Sequence, residues 1–332
     1  MIGGGVIGCA VAERLSFEGH QVTLLERDHL ASHASGAAAG ELSPQSTTAP
    51  AEEAANQSLL LFPELIARIE KDSGMSVEYR VQEGLQPAFD QAEAARLRAG
   101  GGRWLDAQGC REAEPSLSTD VLGAVLLEHA HLTPPRFVRA LARAAAARGA
   151  QIYEGTPVSG FERSDGIVRR VITPAGSYDA DWAVIAAGPW SKEVAATAGV
   201  DVDVRPQRGQ LAALDPGAAA SLRRSIFWST GYLVPKADGT IIAGGTEEES
   251  GFDDRPTVAG IATLLNLACR LVPGLGTAVL QRVWAGLRPV TRDGKPIVKS
   301  IGAPNLIVAT GHHRKGILLA PLAAMQVASL IS

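Results

Sequence analysis

Residues 1–10 read MIGGGVIGCA. Gly3, Gly5 and Gly8 stand at the G-x-G-x-x-G spacing that turns a buried strand into a helix beneath a dinucleotide pyrophosphate. A strand ordinarily has about 5–6 residues, and only Met1 and Ile2 precede this turn, so either the coding sequence begins upstream or the first strand is clipped. CAVAERLSFEG (9–19) follows with helical spacing and stops at Gly19, a glycine suited to a C-cap. HQVTLLERD (20–28) then reads as a strand. Glu26 closes it eighteen residues past Gly8, near the ~20-residue offset at which a carboxylate accepts hydrogen bonds from an adenosine ribose. A glycine cluster alone could be a bare tight turn. Glycines, helix and acidic strand end in this order favour a nucleotide site.

Working outward, ASHASGAAAGELSPQ (31–45) is small and polar, either an ordinary surface loop or one that brings N–H groups close to a ligand. Residues 52–71 suit a helix, and VEYRVQEGLQPAFD (77–90) suits a hairpin around Glu83-Gly84. PPRFVRALARAAAARGA (134–150) is a well-marked helix, with prolines at its start, Phe137, Val138, Leu141 and Ala145 on one face, and Gly149 at its end. Strands over 151–162 and 167–191 complete a second βαβ-like passage, the last running buried into Gly188. From Val202 to Arg288 the pattern becomes alternating strands, broken by one helical stretch, VAGIATLLNLACRLVPG (258–274). NLIVATGHHRKGILLAPLAAMQVASLI (305–331) returns to strand, Gly311 turn and helix. The expected fold is α/β: a Rossmann-like dinucleotide-binding domain (1–78, 133–201 and 289–332) carrying an inserted α+β substrate domain (79–132 and 202–288) on a mostly antiparallel sheet.

Lys and Arg number 31 against 35 Asp and Glu, a net charge of -4, so no basic field draws nucleic acid. Cys9, Cys110 and Cys269 are too scattered for a metal knuckle or disulfide framework and read as buried thiols in a reducing compartment. His129 and His131 could share a strand face and His312 and His313 are adjacent, yet nothing completes a metal shell. No metal is expected. The apolar C-terminal run (316–332) contains Pro321 and Gln326 and is short for a ~20-residue span; it reads as a core helix, and with no charged n-region ahead of an apolar segment the expectation is a cytoplasmic protein without a membrane partner.

IGGGVIGCAVA (2–12), SGAAAGELSPQ (35–45), VIAAGPWS (184–191), GYLVPKADGTIIAGGT (231–246), WAGLRPVTRDGKP (284–296) and GHHRKGILLAP (311–321) together resemble the D-amino-acid oxidase superfamily of flavoproteins, most closely the glycine oxidases of thiamine biosynthesis. The resemblance spans nearly the whole chain in order. It implies noncovalent FAD, since no cysteine follows Cys269 to carry the attachment of the related sarcosine oxidases. Gly3, Gly5 and Gly8 would face the pyrophosphate, Glu26 the ribose, and Val158 the adenine. Ala38, Ala39, Gly40, Gly188, Gly311, Arg314, Lys315 and Gly316 would line the flavin, and Val6, Ile7, Arg27, Ser35, Ala187, Trp190, His313 and Ile317 would also belong to the cofactor site.

The implied reaction removes the α-hydrogen of glycine, another small amino acid or an amine as hydride, with O2 reduced to hydrogen peroxide. Such a step needs an uncharged amine and a fixed aim. A guanidinium supplies aim through two parallel hydrogen bonds to a carboxylate. Arg288 matches the family's carboxylate-binding arginine, its plainer reading being a surface ion pair; Tyr232 matches a tyrosine on the same carboxylate, its plainer reading a core strand residue. Arg314 matches a residue near substrate and flavin, or else a solvent contact. Glu41 and Glu247 stand where the pattern has methionines near the substrate, and Thr230 where it has histidine, which would make the pocket mouth acidic unless both glutamates turn to solvent. Competing readings are a D-amino-acid dehydrogenase passing electrons to a quinone, a sarcosine-type oxidase, an NAD-dependent dehydrogenase and a non-catalytic flavin module. Substrate choice and homo-oligomerisation stay open.

Overall fold

Ile2 is a one-residue strand. It bridges in parallel to Leu25 on one side and Ile185 on the other, its amide donating to Val184 O and its carbonyl accepting from Ala186 N. It thereby joins two half-sheets: Gln151–Tyr153 beside Thr23–Leu25, and Ala183–Ile185 beside Leu306–Thr310, all parallel, with Ile297–Ser300 antiparallel at the edge. This is the Rossmann-like arrangement expected from the glycine motif, seen in a computed structural model that describes residues 1–44, 49–228 and 231–331. Helices Val6–Phe17, Pro134–Ala147 and Gly316–Ile331 pack on one face. Their small residues make that close packing feasible: Ala10, Val11, Ala12, Ala140, Ala144, Ala320 and Ala324 share one core with Phe137 and Leu141. The opposite face is covered by a meander, Gly160–Ser164, Ile167–Thr173 and Gly176–Asp179, through Val168 and Val171.

A second sheet of nine strands lies beyond. Its order begins Val279–Thr291, Val204–Asp215, Ile241–Gly244, Gly231–Pro235, Ile226–Trp228, and continues through Arg80–Ala88 and Gly123–His131 to Glu41–Leu42, with Arg103–Asp106 also on Gly123–His131. All neighbours are antiparallel except Ile226–Trp228 with Arg80–Ala88. Helix Val258–Leu271 covers one face through Ala268 and Leu271, packed with Leu214, Leu233 and Ile241.

Four local expectations are corrected. No hairpin forms at Glu83-Gly84; Arg80–Ala88 is one continuous strand with Gly84 opposite Leu127. The glycine serves close approach instead, since a Cβ there would sit 2.7 Å from Phe227 Cε2 and 3.1 Å from His129 Cε1. The helix over 52–71 is two helices, Ala49–Leu60 and Phe62–Ser73, because Pro63 cannot donate back to Leu59 and starts a new first turn. The loop over 31–45 contains a short helix, Ala34–Ala37, and the strand Glu41–Leu42. Cys9 and Cys110 are buried, but Cys269 is only half-buried. Gly19, at φ 91°, ends the first helix, with His20 N donating to Leu15 O in a Schellman pattern. The C-terminal run is a helix as expected. By length and composition it could cross a membrane; here Leu318, Ala320 and Val327 are buried against the first helix and its neighbours.

Candidate active site

A cavity of about 1260 Å³ runs from the Gly3–Ile7 turn to the face of the nine-stranded sheet. Its near end is main chain. Gly3, at φ 111°, leaves no room for a side chain, since a Cβ would stand 2.5 Å from Ala186 O. Helix Val6–Phe17 has Gly5 at its N-cap, no side-chain cap and no acid in its first turn. Val6 N donates to Ser35 Oγ at 2.9 Å. A helix N-terminus with its positive dipole end and no acid in its own first turn suits an anion. Glu26 is buried beside it, Oε2 accepting from Gly4 N at 2.5 Å and Oε1 from Asp28 N at 2.8 Å. Each oxygen keeps a lone pair for a ligand hydroxyl. Arg27 stacks on Trp190 at 4.4 Å and closes the side of this end.

The far end is built of side chains. Arg288, on strand Val279–Thr291, and Tyr232, on Gly231–Pro235, converge: a Cβ on Gly245 would lie 3.1 Å from Arg288 Nη2 and 3.2 Å from Tyr232 OH. Two further glycines make that possible. A Cβ on Gly209 would fall 2.2 Å from Arg288 Nη2, and one on Gly244 would fall 2.7 Å from Tyr232 OH. Nothing in the sequence marked Gly209, Gly244 or Gly245, because the side chains they accommodate come from other strands. Arg288 Nη1 donates to Thr246 O at 2.7 Å. Burial lowers the guanidinium pKa, although it stays a cation at neutral pH. Burial raises that of the Tyr232 phenol, with Arg288 pulling the other way, so the phenol remains a donor.

The run Glu247-Glu248-Glu249 explains why Arg288 has no acid. Glu247 pairs with Arg314 at 2.6 Å, Glu248 is taken by Arg208, and Glu249 by Arg205 at 3.2 Å. Among the described residues no carboxylate forms an ion pair with Arg288. Glu41, whose side chain is only 11% exposed, accepts from Ser225 Oγ at 3.1 Å and lies 3.1 Å from His129 Nε2. It is a buried wall residue and not a solvent-facing one. His131 is in register with Glu41 on the neighbouring strand, and burial brings its pKa down to about 4.

Of the residues singled out from the sequence, the cavity wall includes all but four. Gly8 lies behind the turn, where a Cβ would stand 2.0 Å from Gly3 O, so it serves helix–strand contact. Gly311, at φ 79°, turns the chain against Thr291 and does not reach the cavity. Glu247 stands behind Arg314. Thr230 lies outside the described residues. His313 does line the wall but is held by Gln207 Oε1 at 2.7 Å, and Lys315 Nζ donates to Pro44 O at 2.9 Å. The wall also includes Phe227 and His312, which the sequence reading did not assign. Both ring nitrogens of His312 are buried without a hydrogen-bond partner among the described residues, and burial brings its pKa down to about 4.

A sequence model of the DAO family, described as FAD dependent oxidoreductase, matches residues 1–330. The chain belongs to that family. It is 36% identical over 341 residues to the "Bifunctional protein ThiO/ThiG" of Synechocystis sp., covering 100% of this chain and 51% of that protein. It is 34% identical over 348 residues to the "Glycine oxidase" of Geobacillus kaustophilus, covering 100% of this chain and 92% of the other. The chain thus spans about half the length of the bifunctional relatives it matches. Among solved structures, glycine oxidase from Bacillus cereus superposes with a TM-score of 0.94 at 32% identity, covering 99% of this chain and 95% of that one.

FAD is the cofactor of the family, and this cavity fits it. The near end offers a glycine turn whose Gly5 has little beyond Ser35 Oγ near its Cβ position, and a helix N-terminus beside a buried carboxylate. Ala38, Ala39, Gly188 and Gly316 keep the middle free of large side chains, as a flat ring system requires.

Proposed function

We propose that this chain is an FAD-dependent oxidase of small α-amino acids, with glycine as the parent substrate, of the kind that serves thiamine biosynthesis. The observation that carries the reading is Arg288, a half-buried guanidinium without an acidic partner among the described residues, on the wall of the cavity that begins at the glycine turn. A substrate carboxylate supplies the missing anion through two parallel hydrogen bonds. Tyr232, kept protonated by burial, donates another. Clamping the carboxylate fixes the α-carbon and leaves the amine and α-hydrogen directed into the cavity. Bound FAD would supply the hydride acceptor for the α-hydrogen and the route for its electrons to O2 and hydrogen peroxide. Gly3 and Gly5 would cradle the pyrophosphate, Glu26 would hold the ribose and Val158 the adenine, while Ala38 to Gly40, Gly188 and Lys315 to Ile317, all on the cavity wall, would border the flavin. The same reading divides the chain into a cofactor part (1–78, 133–201, 289–332) and a substrate part (79–132, 202–288), and puts the reaction in the cytoplasm with the amino acid and O2 as its partners. Glycine oxidases matched at over nine-tenths of their length support it. The test is an anaerobic panel of glycine, sarcosine, D-alanine and a simple primary amine, watching the flavin band. Bleaching by amino acids, with one peroxide per turnover in air, is expected. No bleaching by any of them sinks the reading, and bleaching without peroxide turns it into a dehydrogenase.

A further inference from the structure

We propose that Glu247 sets the number of carboxylates this pocket accepts, by neutralising Arg314 before any substrate arrives. The inference rests on the amino-acid reading above for its context, but not for its test. Two guanidiniums, Arg288 and Arg314, line the far part of the cavity, with Arg27 at the near end beside Trp190. One segment of chain holds the two in different ways. Thr246 offers Arg288 a neutral carbonyl, whereas its neighbour Glu247 offers Arg314 a carboxylate at 2.6 Å. Glu247 is not on the cavity wall; it backs the guanidinium from the loop side, and both side chains are about one-third exposed, at 34% and 36%. The next two glutamates cannot take its place, because Arg208 and Arg205 hold them.

A ligand with one carboxylate therefore meets Arg288, which has no carboxylate ion pair among the described residues. A second carboxylate on the same ligand would meet a pair already neutral, losing hydration without gaining charge and facing the Glu247 anion behind it. Glu247 is in this sense a specificity residue that restricts the pocket to monocarboxylates. Removing only its charge converts Arg314 into a second anchor. Glu247→Gln suits the purpose, since the amide oxygen still accepts from Arg314 and holds it in place, and a partly exposed pair contributes little to folding.

The experiment titrates the FAD-loaded protein with acetate, malonate, succinate and glutarate, which carry no amine to oxidise, and reads dissociation constants from the flavin band. In Glu247→Gln the ratio of acetate Kd to dicarboxylate Kd should rise at least fivefold for at least one of the three spans. Adding Arg314→Met should abolish the gain. A rise below fivefold for all three, or a gain that survives Arg314→Met, overturns the proposal. If acetate leaves the wild-type flavin unperturbed, the Arg288 anchor fails and this proposal with it. Because nothing here turns over, failure to oxidise glycine would sink the oxidase reading while leaving this comparison to be judged on its own.

Discussion

The two ends of the cavity are built from different materials. At the Gly3–Ile7 end the wall is main chain, and its affinity for an anion comes from amides and a helix dipole that any residue would supply provided no side chain intrudes. At the Arg288 end the wall is side chains, each set by a partner distant in sequence: Arg288 rests on Gly209, Tyr232 on Gly244, Arg314 on Glu247. A main-chain site is local and compact in sequence, and it fails by steric intrusion. A side-chain site is assembled across strands and fails by loss of one charge or one degree of alignment.

The largest expected effect is at the near end. Gly5→Leu should give folded protein without FAD, because a Cβ on Gly5 meets only Ser35 Oγ at 3.2 Å, while the rest of the side chain enters the pyrophosphate's approach. Gly8→Leu should instead fail to fold, since its Cβ would stand 2.0 Å from Gly3 O. Flavin occupancy and thermal melting distinguish the two, and full occupancy in Gly5→Leu would break the assignment of that end.

At the far end Arg288→Ala should retain FAD and raise the glycine KM. A charge-assisted hydrogen bond contributes about 1.5–3 kcal/mol, equivalent to roughly ten- to over a hundredfold. Arg288→Lys should recover only part, keeping charge without the fork. A primary amine lacking a carboxylate should be oxidised nearly as before; equal losses for acid and amine would show that Arg288 supports structure.

Gly209→Ala sharpens the contrast further. Its Cβ would displace the guanidinium, at 2.2 Å from Nη2, so the variant should reproduce the Arg288→Ala phenotype in milder form, about tenfold in KM, with flavin retention unchanged. An unaltered KM would mean the guanidinium shifts without cost.

The smallest effect concerns pH. His312 is held neutral by burial, its pKa brought down to about 4 from 6.5. The unfolded chain takes up a proton near pH 6.5 and the folded one only near 4. Stability is therefore whole above about pH 6.5 and declines as pH falls toward 4, by on the order of 3 kcal/mol at most for this residue. His131 adds in the same direction. Urea midpoints between pH 7 and 4, at fixed FAD, should fall less steeply in His312→Leu; an unchanged slope would place the titration elsewhere.

The alternation of motif, helix and strand in the primary sequence determined the Rossmann-like sheet, the mostly antiparallel second sheet and the residues of the near end, because those features depend on glycine spacing and on periodicity within short windows. Arg288 and Tyr232 were legible only through their resemblance to a family, not through anything local. Tertiary structure decided the rest. Gly84 looked like a turn and proved to be clearance for Phe227 and His129; Glu247 looked like a pocket wall and proved to be the counter-charge behind Arg314; Gly209, Gly244 and Gly245 carried no signal at all. A glycine records that a side chain is missing at its own position, but not whether the space is needed for a turn, for a phosphate or for another residue's guanidinium, and only the packed strands settle which.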